Sequence, residues 1–423
     1  MSIAEKIPRE VIEVANLVSG YVTGGSIRDI VMNREPNDYD ISTPLHPEEV
    51  TQRLENAGYH VFPLGKQFGT VAIVLPEIGQ IEITTFRGET YRPELGRKPI
   101  VEFGVSLDED LARRDFTINA MTYDPRENKL IDPFRGKEDI ERKRLKFVGD
   151  ATERIKEDPL RMVRACRFES KLGFKIDDED FKTIQENVDL LDHISIERIV
   201  EEMDKSSNNF ADFIQCMSDS DMLSKIFGPE IDIMKEYRHD ERGTHYGETI
   251  MEHSIDVIRK LDELQKDNLP LKLAGLMHDM GKTKTRSVKD GKIQYIDHEK
   301  ESFKLCQEKL RKLKGLPKNA QKETCWIVRD HMRLPHIKGK KVAKTAIDYN
   351  FEHIPEKWID DIIDFITADA MEDFEDLRIE LKTAMKTQRP SGKLFLKYPP
   401  TKRKLLIRQK WIEEARRKIA QTS

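Results

Sequence analysis

The chain lacks any long apolar run. No segment of its 423 residues approaches the roughly 20 consecutive apolar residues that a helix needs to cross a bilayer. The amino terminus, which carries Lys6 and Arg9 among acidic residues, lacks the apolar core of a signal peptide. We therefore expect a cytoplasmic protein that does not bind membranes.

The chain also has few cysteines and no large excess of one charge. The four cysteines include no Cys-x-x-Cys pair, so the sequence does not indicate a zinc ribbon. Charged residues make up 35% of the chain but sum to a net charge of only -5. A near-neutral total does not exclude RNA binding, because local patches of charge matter more than the sum. The composition is that of a soluble globular protein, and the length suggests about two to four domains.

The pattern of apolar residues changes along the chain. Residues 71–75 and 81–86 are rich in β-branched residues and bounded by Gly or Pro, which predicts strands. From about residue 150 the spacing becomes helical and stays so. Gly228-Pro229 marks a further break, and the chain from residue 386 onward is strongly basic. We predict an α+β domain followed by all-α domains, with bounds at 1–148, 149–228, 229–370 and 371–423.

The most informative stretch is Asp38-Tyr39-Asp40. In an extended strand, residues two apart point to the same face, so both carboxylates would converge while Tyr39 turns toward the core. Converging carboxylates bind divalent metals, and a pair of metals can clamp the attacking and leaving oxygens of phosphoryl transfer. Upstream, the Gly24-Gly25 turn would let backbone N–H groups approach a triphosphate. Either signal alone is weak, but together they predict a nucleotidyl-transfer site with Asp38 and Asp40 as catalytic metal ligands.

Further side chains suit a triphosphate and a ribose. Arg113 and Arg114 suit bidentate phosphate contacts, and Asn119 could hold a ribose hydroxyl. In isolation, the same segment could be a charged helix start capped by Asp115. The residues that we predict to bind the nucleotide are Gly24, Gly25, Arg28, Arg113, Arg114, Asp115, Asn119, Asp158, Arg161, Arg164 and Arg167.

Asp158 and Arg161 are predicted to select the base. They lie three residues apart, on one face of a helix. A carboxylate accepts a hydrogen bond from an exocyclic amine, and a guanidinium donates to a ring nitrogen or carbonyl, which suits cytosine and adenine but not guanine or uracil. The alternative is structural, with Asp158 capping a helix whose first position is Pro159.

Taken in order, these segments resemble the motifs of class II tRNA nucleotidyltransferases, the family of CCA-adding enzymes and bacterial poly(A) polymerases. The resemblance spans residues 20–205 and rests on Gly24-Gly25, Arg28-Asp29, Asp38-Tyr39-Asp40, Arg113-Arg114-Asp115, Asn119, Asp132, Gly136, Asp139, Glu157-Asp158, Arg161 and the run Ile194 to Glu202. It implies a polymerase-β-like head at 1–148 and a helical neck at 149–228. It also implies transfer of CMP, CMP and AMP from CTP and ATP to a tRNA 3′ end, with Mg²⁺ held by Asp38 and Asp40.

Three features of the chain stay open: the loop at 88–99, Glu82 and the basic tail. The loop at 88–99 is present, which argues against a purely CC-adding enzyme, although Glu94-Leu95-Gly96-Arg97 replaces the family's usual Asp-Gly-Arg. Glu82 is either a third carboxylate of the site or a solvent-facing strand residue. The basic tail at 371–423 either contacts RNA phosphates or forms a solvated helical face; its aromatic residues are Phe395, Tyr398 and Trp411.

A second cluster of chemistry lies in the helical half. The pair His278-Asp279 resembles the signature of HD-domain phosphohydrolases, and an imidazole–carboxylate set suits Mn²⁺, Ni²⁺ or Fe²⁺. A lone helical histidine is usually packed or solvated, but here further residues fit that family's other positions. The resemblance implies an HD domain at 229–370 that hydrolyses cyclic or terminal phosphates of RNA ends. Its predicted metal ligands are His253, His278, Asp279, His298, His331 and Asp369.

The predicted function is CCA addition to tRNA, joined to a metal-dependent HD phosphohydrolase. A poly(A) polymerase shares the head and neck motifs, and an enzyme that adds only the final A is a further alternative. Two alternatives come from other classes: an HD phosphohydrolase whose head only binds RNA ends, and a non-catalytic RNA-binding scaffold. The HD substrate and the oligomeric state cannot be read from the sequence.

Overall fold

The computed structural model describes residues 2–65, 69–90, 100–238, 247–338, 340–391 and 399–422. Most of the 88–99 loop and the two tail aromatics Phe395 and Tyr398 lie outside these ranges. The chain divides into two compact units. The first comprises Met1–Ile194 with Ser220–Met222, and the second comprises Ser195–Asp219 with Leu223–Ser423.

The strands of the first unit are β1 Tyr21–Thr23, β2 Tyr39–Thr43, β3 Phe62–Gly65, β4 Thr70–Leu75, β5 Gly79–Thr85, β6 Arg87–Thr90, β7 Ile100–Phe103, β8 Thr122–Asp124, β9 Lys129–Ile131, β10 Arg144–Leu145 and β11 Lys175–Ile176. Seven of them form one sheet in the order β3-β4-β5-β2-β1-β8-β9. Within this sheet β2 and β5 run parallel, and the other neighbouring strands are antiparallel. The helices are α1 Ile3–Lys6, α2 Arg9–Leu17, α3 Gly25–Val31, α4 Pro47–Asn56, α5 Leu107–Ala112, α6 Gly136–Glu141, α7 Ala151–Glu157, α8 Leu160–Leu172 and α9 Asp178–Glu186.

The sheet forms where the sequence predicts strands. β4 and β5 cover the two β-branched segments, and their inward residues Val71, Ile73, Ile81 and Ile83 are almost fully buried. They join one apolar core with residues of α2 and α4. Because alternate strand residues face the core, the polar residues between them face the other side of the sheet. The site described below lies on strands of this sheet.

The second unit is almost entirely helical. Its helices are α10 Ile196–Asp204, α11 Phe210–Asp219, α12 Met222–Phe227, α13 Glu230–Glu236, α14 Ile250–Glu263, α15 Leu269–Met277, α16 Lys282–Thr285, α17 His298–Lys312, α18 Lys318–Asp330, α19 Lys340–Phe351, α20 Glu356–Ala370, α21 Glu375–Met385 and α22 Pro400–Thr422. None of the helices in the described ranges is both long and apolar enough to cross a membrane. The predicted fold class, a mixed head followed by helical regions that include an HD domain, is confirmed.

One hairpin interrupts the helical half. β12 Arg286–Lys289 pairs with β13 Lys292–Tyr295 through the turn Asp290-Gly291. Both turn residues have positive φ, 53° and 74°, as the tight turns favoured in hairpins require. The helical periodicity on either side gives no sign of this hairpin, but the Asp-Gly pair does.

The tail aromatic that the structure describes is part of the core. Trp411 of α22 is 7% exposed and donates from Nε1 to the carbonyl of Thr387 at 2.7 Å. Ile407 and Ala415, one helical turn to either side, are also buried. This face of the tail helix therefore packs against protein and is not the solvated face of the alternative interpretation, and contact of the tail with RNA stays a prediction.

Candidate functional site

The head carboxylates meet where β2 and β5 pair. Asp38 immediately precedes β2 and is exposed, whereas Asp40 lies in the strand and is half-buried. Tyr39 between them is 8% exposed, in agreement with the predicted alternation. Asp40 is in register with Glu82 of the parallel neighbour, so both side chains leave the same face of the sheet. The sheet thereby adds Glu82 to the predicted pair.

The electrostatics of these carboxylates fit a cation site. Burial raises the pKa of Asp40 to about 6, helped by Asp38 and Glu82 and opposed by Arg114. Carboxylates gathered in this way repel one another when all are ionised. A divalent cation among them would remove that repulsion, which is the property expected of metal ligands.

Gly24 occupies a position that only glycine fits. Its φ is 76°, in the left-handed region, and α3 begins at the next residue. A Cβ added there would lie 3.1 Å from Nη1 of Arg114 and 3.7 Å from Oδ2 of Asp40. A side chain would therefore intrude between the arginine and the carboxylate. The structure brings the predicted glycine turn to the predicted metal ligands.

A buried polar network links four of the predicted nucleotide-binding residues. Arg28 donates from Nη1 to Oδ1 of Asn119 at 2.8 Å, and Asn119 donates from Nδ2 to Oδ1 of Asp115 at 3.1 Å. Arg164 closes the chain by donating from Nη2 to Oδ2 of Asp115 at 2.6 Å. Burial alone would raise the pKa of Asp115, but Arg164 and the hydrogen bonds hold it at about 2. Asp115 is thus a fixed anion that orients Asn119 and Arg164, and it does not cap a helix.

Two arginines are held by an acid that the sequence analysis missed. Asp110, which is fully buried, accepts from Nη2 of Arg113 at 2.8 Å and lies 3.5 Å from Nη2 of Arg114. Arg114 also donates to the carbonyl of Asn119 and to Oγ of Ser42. The spacing of three and four residues between Asp110 and the arginines is the signal that could have identified it.

Asp158 and Arg161 both form hydrogen bonds with other groups of the protein. Asp158 accepts from the N–H of Leu160 at the start of α8, as the capping interpretation predicts. Arg161, 6% exposed, donates to Oε2 of Glu157 at 2.6 Å and to the carbonyl of Arg113 at 2.8 Å. These contacts fix the direction of the guanidinium without using all five of its N–H donors.

Two further motif positions have structural roles. Asp132 accepts from the N–H groups of Gly136 and Lys137 at 2.7 and 2.9 Å, so it caps α6 as the turn-then-helix pattern predicts. Arg167 is 7% exposed, and its guanidinium carbon lies 4.2 Å from the centroid of the Phe168 ring. Its guanidinium thus contacts an aromatic ring of the protein, and its role in binding the nucleotide stays a prediction.

In the second unit, all six predicted metal ligands come together. Their ligand atoms form two triads, each within 4.8 Å: His253, His278 and Asp369, and Asp279, His298 and His331. Among the described residues these are the groups of three that could hold a metal at such distances. The head carboxylates are not among them, so a cation bound there would have to draw them closer.

Main-chain carbonyls orient three of these histidines. His278, His298 and His331 each place Nδ1 within 2.8–2.9 Å of the carbonyl three residues earlier. A ring that donates its Nδ1–H in this way keeps a lone pair on Nε2, which is the tautomer that binds a metal. The same backbone geometry thus prepares three Nε2 atoms as ligands.

These ligand atoms have few other partners. Nε2 of His331 is buried and has no hydrogen-bond partner within the described chain, and Nε2 of His298 lies 3.2 Å from Oδ1 of Asp279. Nε2 of His278 lies 3.4 Å from Oδ2 of Asp279 and 3.5 Å from Oδ1 of Asp369. Although burial favours the neutral ring, these two carboxylates raise the pKa of His278 to about 10. A centre this negative, with unused nitrogen lone pairs, fits a transition-metal cation.

Gly281 lets the His-Asp segment approach α17. A Cβ on this residue would lie 2.2 Å from the carbonyl oxygen of His298 and 2.4 Å from the N–H nitrogen of Ser302. Instead, the N–H of Gly281 donates to Oγ of Ser302 at 2.8 Å. Lys282, which the sequence analysis did not single out, lies 2.5 Å from Oδ2 of Asp279. The glycine contact fixes Asp279 beside His298.

Three family models match successive parts of the chain. Residues 20–146 match the family model described as the poly A polymerase head domain, and residues 250–375 match that of the HD domain. Between them, residues 173–234 match "Probable RNA and SrmB- binding site of polymerase A". The three models meet in one chain in the order that the sequence motifs predict.

Named relatives and solved structures point the same way. The chain is 46% identical over 185 residues to a CCA-adding enzyme of Geobacillus sp. (strain WCH70), covering 44% of each chain. It is 40% identical over 211 residues to one of Lactococcus lactis subsp. cremoris (strain MG1363), covering 48% of this chain and 51% of that one. The matched part is therefore about half the length of these relatives.

The fold is shared over a greater length than the sequence. The structure of a Bacillus stearothermophilus CCA-adding enzyme in complex with CTP superimposes with a TM-score of 0.69 at 24% identity. The match covers 95% of this chain and 91% of that one. The chain thus matches a poly A polymerase head domain, an RNA-binding region of that polymerase and an HD domain in that order, and it is similar to CCA-adding enzymes over about half of its length.

Proposed function

We propose that this chain builds CCA on the 3′ end of tRNA from CTP and ATP, without a nucleic-acid template. The observation that carries the proposal is the meeting of Asp40, Glu82, Gly24 and Arg114 at one place in the head, beside the Asp115 network. Relatives named as CCA-adding enzymes, and solved ones with CTP or ATP, support these substrates. Such an activity belongs in the cytoplasm, where we predict the protein.

In this proposal the head residues divide the work. Asp38, Asp40 and Glu82 would hold Mg²⁺, which when bound supplies charge stabilisation to the phosphoryl group in transfer. Because Gly24 has no side chain, the triphosphate can approach Arg114 closely. Arg114 then places a fixed cation beside the phosphates. Most of the binding geometry is thus set before the nucleotide arrives.

The network around Asp115 positions the sugar-binding side. Asn119 is held on one side by Arg28 and on the other by Asp115. An amide held in this way can present its remaining hydrogen-bonding capacity to a ribose hydroxyl. We propose that Asn119 contacts the ribose, and that Arg28 and Asp115 act through it.

Base selection by Asp158 and Arg161 remains a prediction. A base would use the hydrogen-bonding capacity of these two side chains that their contacts with Leu160, Glu157 and Arg113 leave over. The variant Arg161→Gln should relax the preference for CTP and ATP over GTP and UTP while leaving metal binding intact. An unchanged preference, with normal folding, would refute a role in base choice.

The test of the main proposal uses tRNA transcripts that end at the discriminator base, at C and at CC. Each is incubated with Mg²⁺ and single or mixed nucleoside triphosphates, and the products are resolved at one-nucleotide steps. We expect C, C and A to be added and the reaction then to stop. Addition of A to the CC transcript alone would mark an A-adding enzyme, and a long A ladder would mark a poly(A) polymerase.

Loss of the carboxylates separates an enzyme from a scaffold. The variant Asp38→Ala, Asp40→Ala should lose incorporation and keep RNA binding, because both residues act on the metal and not on the fold. A matched control is Asp124→Asn, which removes a carboxylate from the same sheet at the pair Asp124–Arg126. Full incorporation by the double variant would refute the two-carboxylate site.

We also propose a second activity, a metal-dependent phosphohydrolase in the HD domain that acts on phosphates of RNA ends. The observation that favours it is the buried triad of Asp279, His298 and His331, in which Nε2 of His298 faces Oδ1 of Asp279 and Nε2 of His331 has no hydrogen-bond partner in the described chain. The two triads are candidates to hold one cation each, of the kind Mn²⁺ or Ni²⁺. Such a cation, when bound, supplies a nucleophilic hydroxide near neutral pH.

The phosphohydrolase proposal has a readout that does not depend on activity. Metal content of the purified protein should approach two ions per chain, and His278→Ala with Asp279→Ala should lose them. Hydrolysis of a 2′,3′-cyclic phosphate by the loaded protein should disappear in the same variant. Unchanged metal content and unchanged hydrolysis would exclude this site.

A further inference from the structure

A second candidate binding site lies in the helical unit, outside both sites described above. A cavity of about 1020 Å³ is lined by residues of α17, α18 and α20 and by the segment that leads into α20. Its volume lies at the upper end of the range of about 300–1,000 Å³ that is typical of ligand sites. Neither the predicted functions nor the sequence motifs account for it.

One face of α18 gives the cavity a line of basic and aromatic side chains. Lys318, Lys322 and Trp326 follow one another at intervals of four residues, so they lie on one stripe of the helix. Arg311, at the end of α17, adds a third cation to the lining. Among the described residues, no carboxylate pairs with these three cations, whereas Arg329 farther along α18 is paired with Asp330. The positive charge at this cavity is therefore available to a ligand.

The inner wall of the cavity is aromatic. The rings of Trp326 and Trp358 have centroids 5.8 Å apart and planes inclined at 37°. Trp326 is 4% exposed, and its Nε1–H finds no acceptor within the described chain. A buried indole donor normally has a partner, and its lack costs free energy. Trp358 is partly exposed, so its ring is the one of the two that a ligand can reach, whereas Trp326 is buried beside it.

We propose that this cavity binds single-stranded RNA, with an unpaired base against the partly exposed ring of Trp358 and its flanking phosphates on the cations. Stacking on aromatic faces combined with a positive groove is how proteins hold single strands without reading their sequence. Successive lysines on α18 are about 6 Å apart along the helix axis, which lets them contact neighbouring phosphates.

An acidic peptide would satisfy the cations but not the aromatic wall, so RNA is the better ligand. A free nucleotide carries the same base and phosphate groups as an RNA strand. The two ligands differ in affinity, because a strand contacts more of the cations than a single nucleotide does. The proposal rests on the proposed function only in taking RNA as the natural ligand.

The tryptophans themselves provide the assay. The three tryptophans of the chain are Trp326, Trp358 and Trp411, so no emission arises from the head. Fluorescence of the full-length protein is titrated with an unstructured RNA hexanucleotide, with AMP, with inorganic phosphate and with an acidic peptide. We expect quenching by the hexanucleotide at concentrations at least tenfold below those needed for AMP.

Charge reversal tests the contact, with a matched control. Lys318→Glu with Lys322→Glu should weaken hexanucleotide binding at least tenfold. It should also lower the slope of log affinity against log salt by about 1.4, because each phosphate contact on a single strand contributes about 0.7. Lys300→Glu with Lys304→Glu makes the same charge change on the exposed face of α17, where both lysines pair with acids, and should change neither quantity.

Several results would overturn the proposal. They are the absence of quenching by the hexanucleotide, equal affinity for AMP and hexanucleotide, quenching by the acidic peptide alone, and equal weakening by the control variant. Incorporation of nucleotides by the head is measured in parallel. Normal incorporation without quenching refutes the cavity and leaves the proposed function in place, whereas quenching without incorporation does the reverse.

Discussion

Replacing Asp115 by Asn tests the central idea that the head site is set in advance by a fixed buried anion. The change keeps the shape of the side chain but removes the charge that holds Arg164 at 2.6 Å. A pKa of about 2, against 3.8 for an unperturbed carboxyl, corresponds to about 2 kcal/mol of stabilisation at neutral pH. Because the folded-state pKa of Asp115 is lowered, this contribution is complete above pH 3.8 and is lost as the pH falls through about 2.

The measurement has to be local, because a chain of two units need not unfold in one step. Hydrogen–deuterium exchange of head peptides at pH 7, read by mass spectrometry, reports the free energy of local opening. A loss of about 2 kcal/mol predicts exchange that is roughly 30-fold faster around residues 115–119. In the incorporation assay, the same variant should raise KM for the nucleotide, because Asn119 loses its support.

The control for Asp115→Asn is Asp124→Asn. Asp124 is 5% exposed and accepts from Nε and Nη2 of Arg126, so it forms a similar pair on the same sheet. Its replacement should speed local exchange but leave KM unchanged, because none of the predicted nucleotide-binding residues contacts it in the structure. The reasoning is refuted if Asp115→Asn changes exchange less than threefold, or if the control raises KM as much.

Two further predictions concern stability. Burial raises the pKa of Asp180 to about 6, so the ionised carboxylate weakens the folded state above that pH. The variant Asp180→Asn can still accept the hydrogen bond from the N–H of Phe147. It should therefore stabilise the protein by at most about 3 kcal/mol at pH 8 and should not stabilise it at pH 4. Urea unfolding at the two pH values measures this, and an equal effect at both would contradict it. Gly281→Ala would drive a Cβ against the carbonyl of His298. We therefore expect the free energy of unfolding to fall by about 1–3 kcal/mol and the metal content to fall as well. A variant that is equally stable and fully loaded with metal would contradict the packing argument.

Residue type and spacing predicted the interactions that join residues close together in the sequence. The alternation around Asp40 follows from the two-residue period of a strand, and Tyr39 is buried as that period requires. The cap formed by Asp132 depends only on residues four and five positions away. The Asp290-Gly291 turn is equally local, although the helical periodicity around it concealed the hairpin.

Partners that are distant in sequence could not be foreseen. Arg161 is predicted as a base contact, yet its guanidinium reaches the carbonyl of Arg113, which is 48 residues away. Glu82 could be either a ligand or a solvated residue until the parallel pairing of β2 with β5 placed it beside Asp40. Neither outcome is encoded in spacing, because both depend on how separate elements pack.

The sequence by itself determined the kinds of chemistry in this protein: the order of the carboxylate, glycine and arginine motifs, and the six ligands of the HD centre. Only the tertiary structure decided which of those groups meet. It divided the six ligands into two triads, and within the described residues it left Nε2 of His331 without a hydrogen-bond partner. It also brought Trp326 and Trp358 together in one wall of a basic cavity. The physical reason is that residue type and period act within one element, whereas contacts between elements depend on the packing of the whole core.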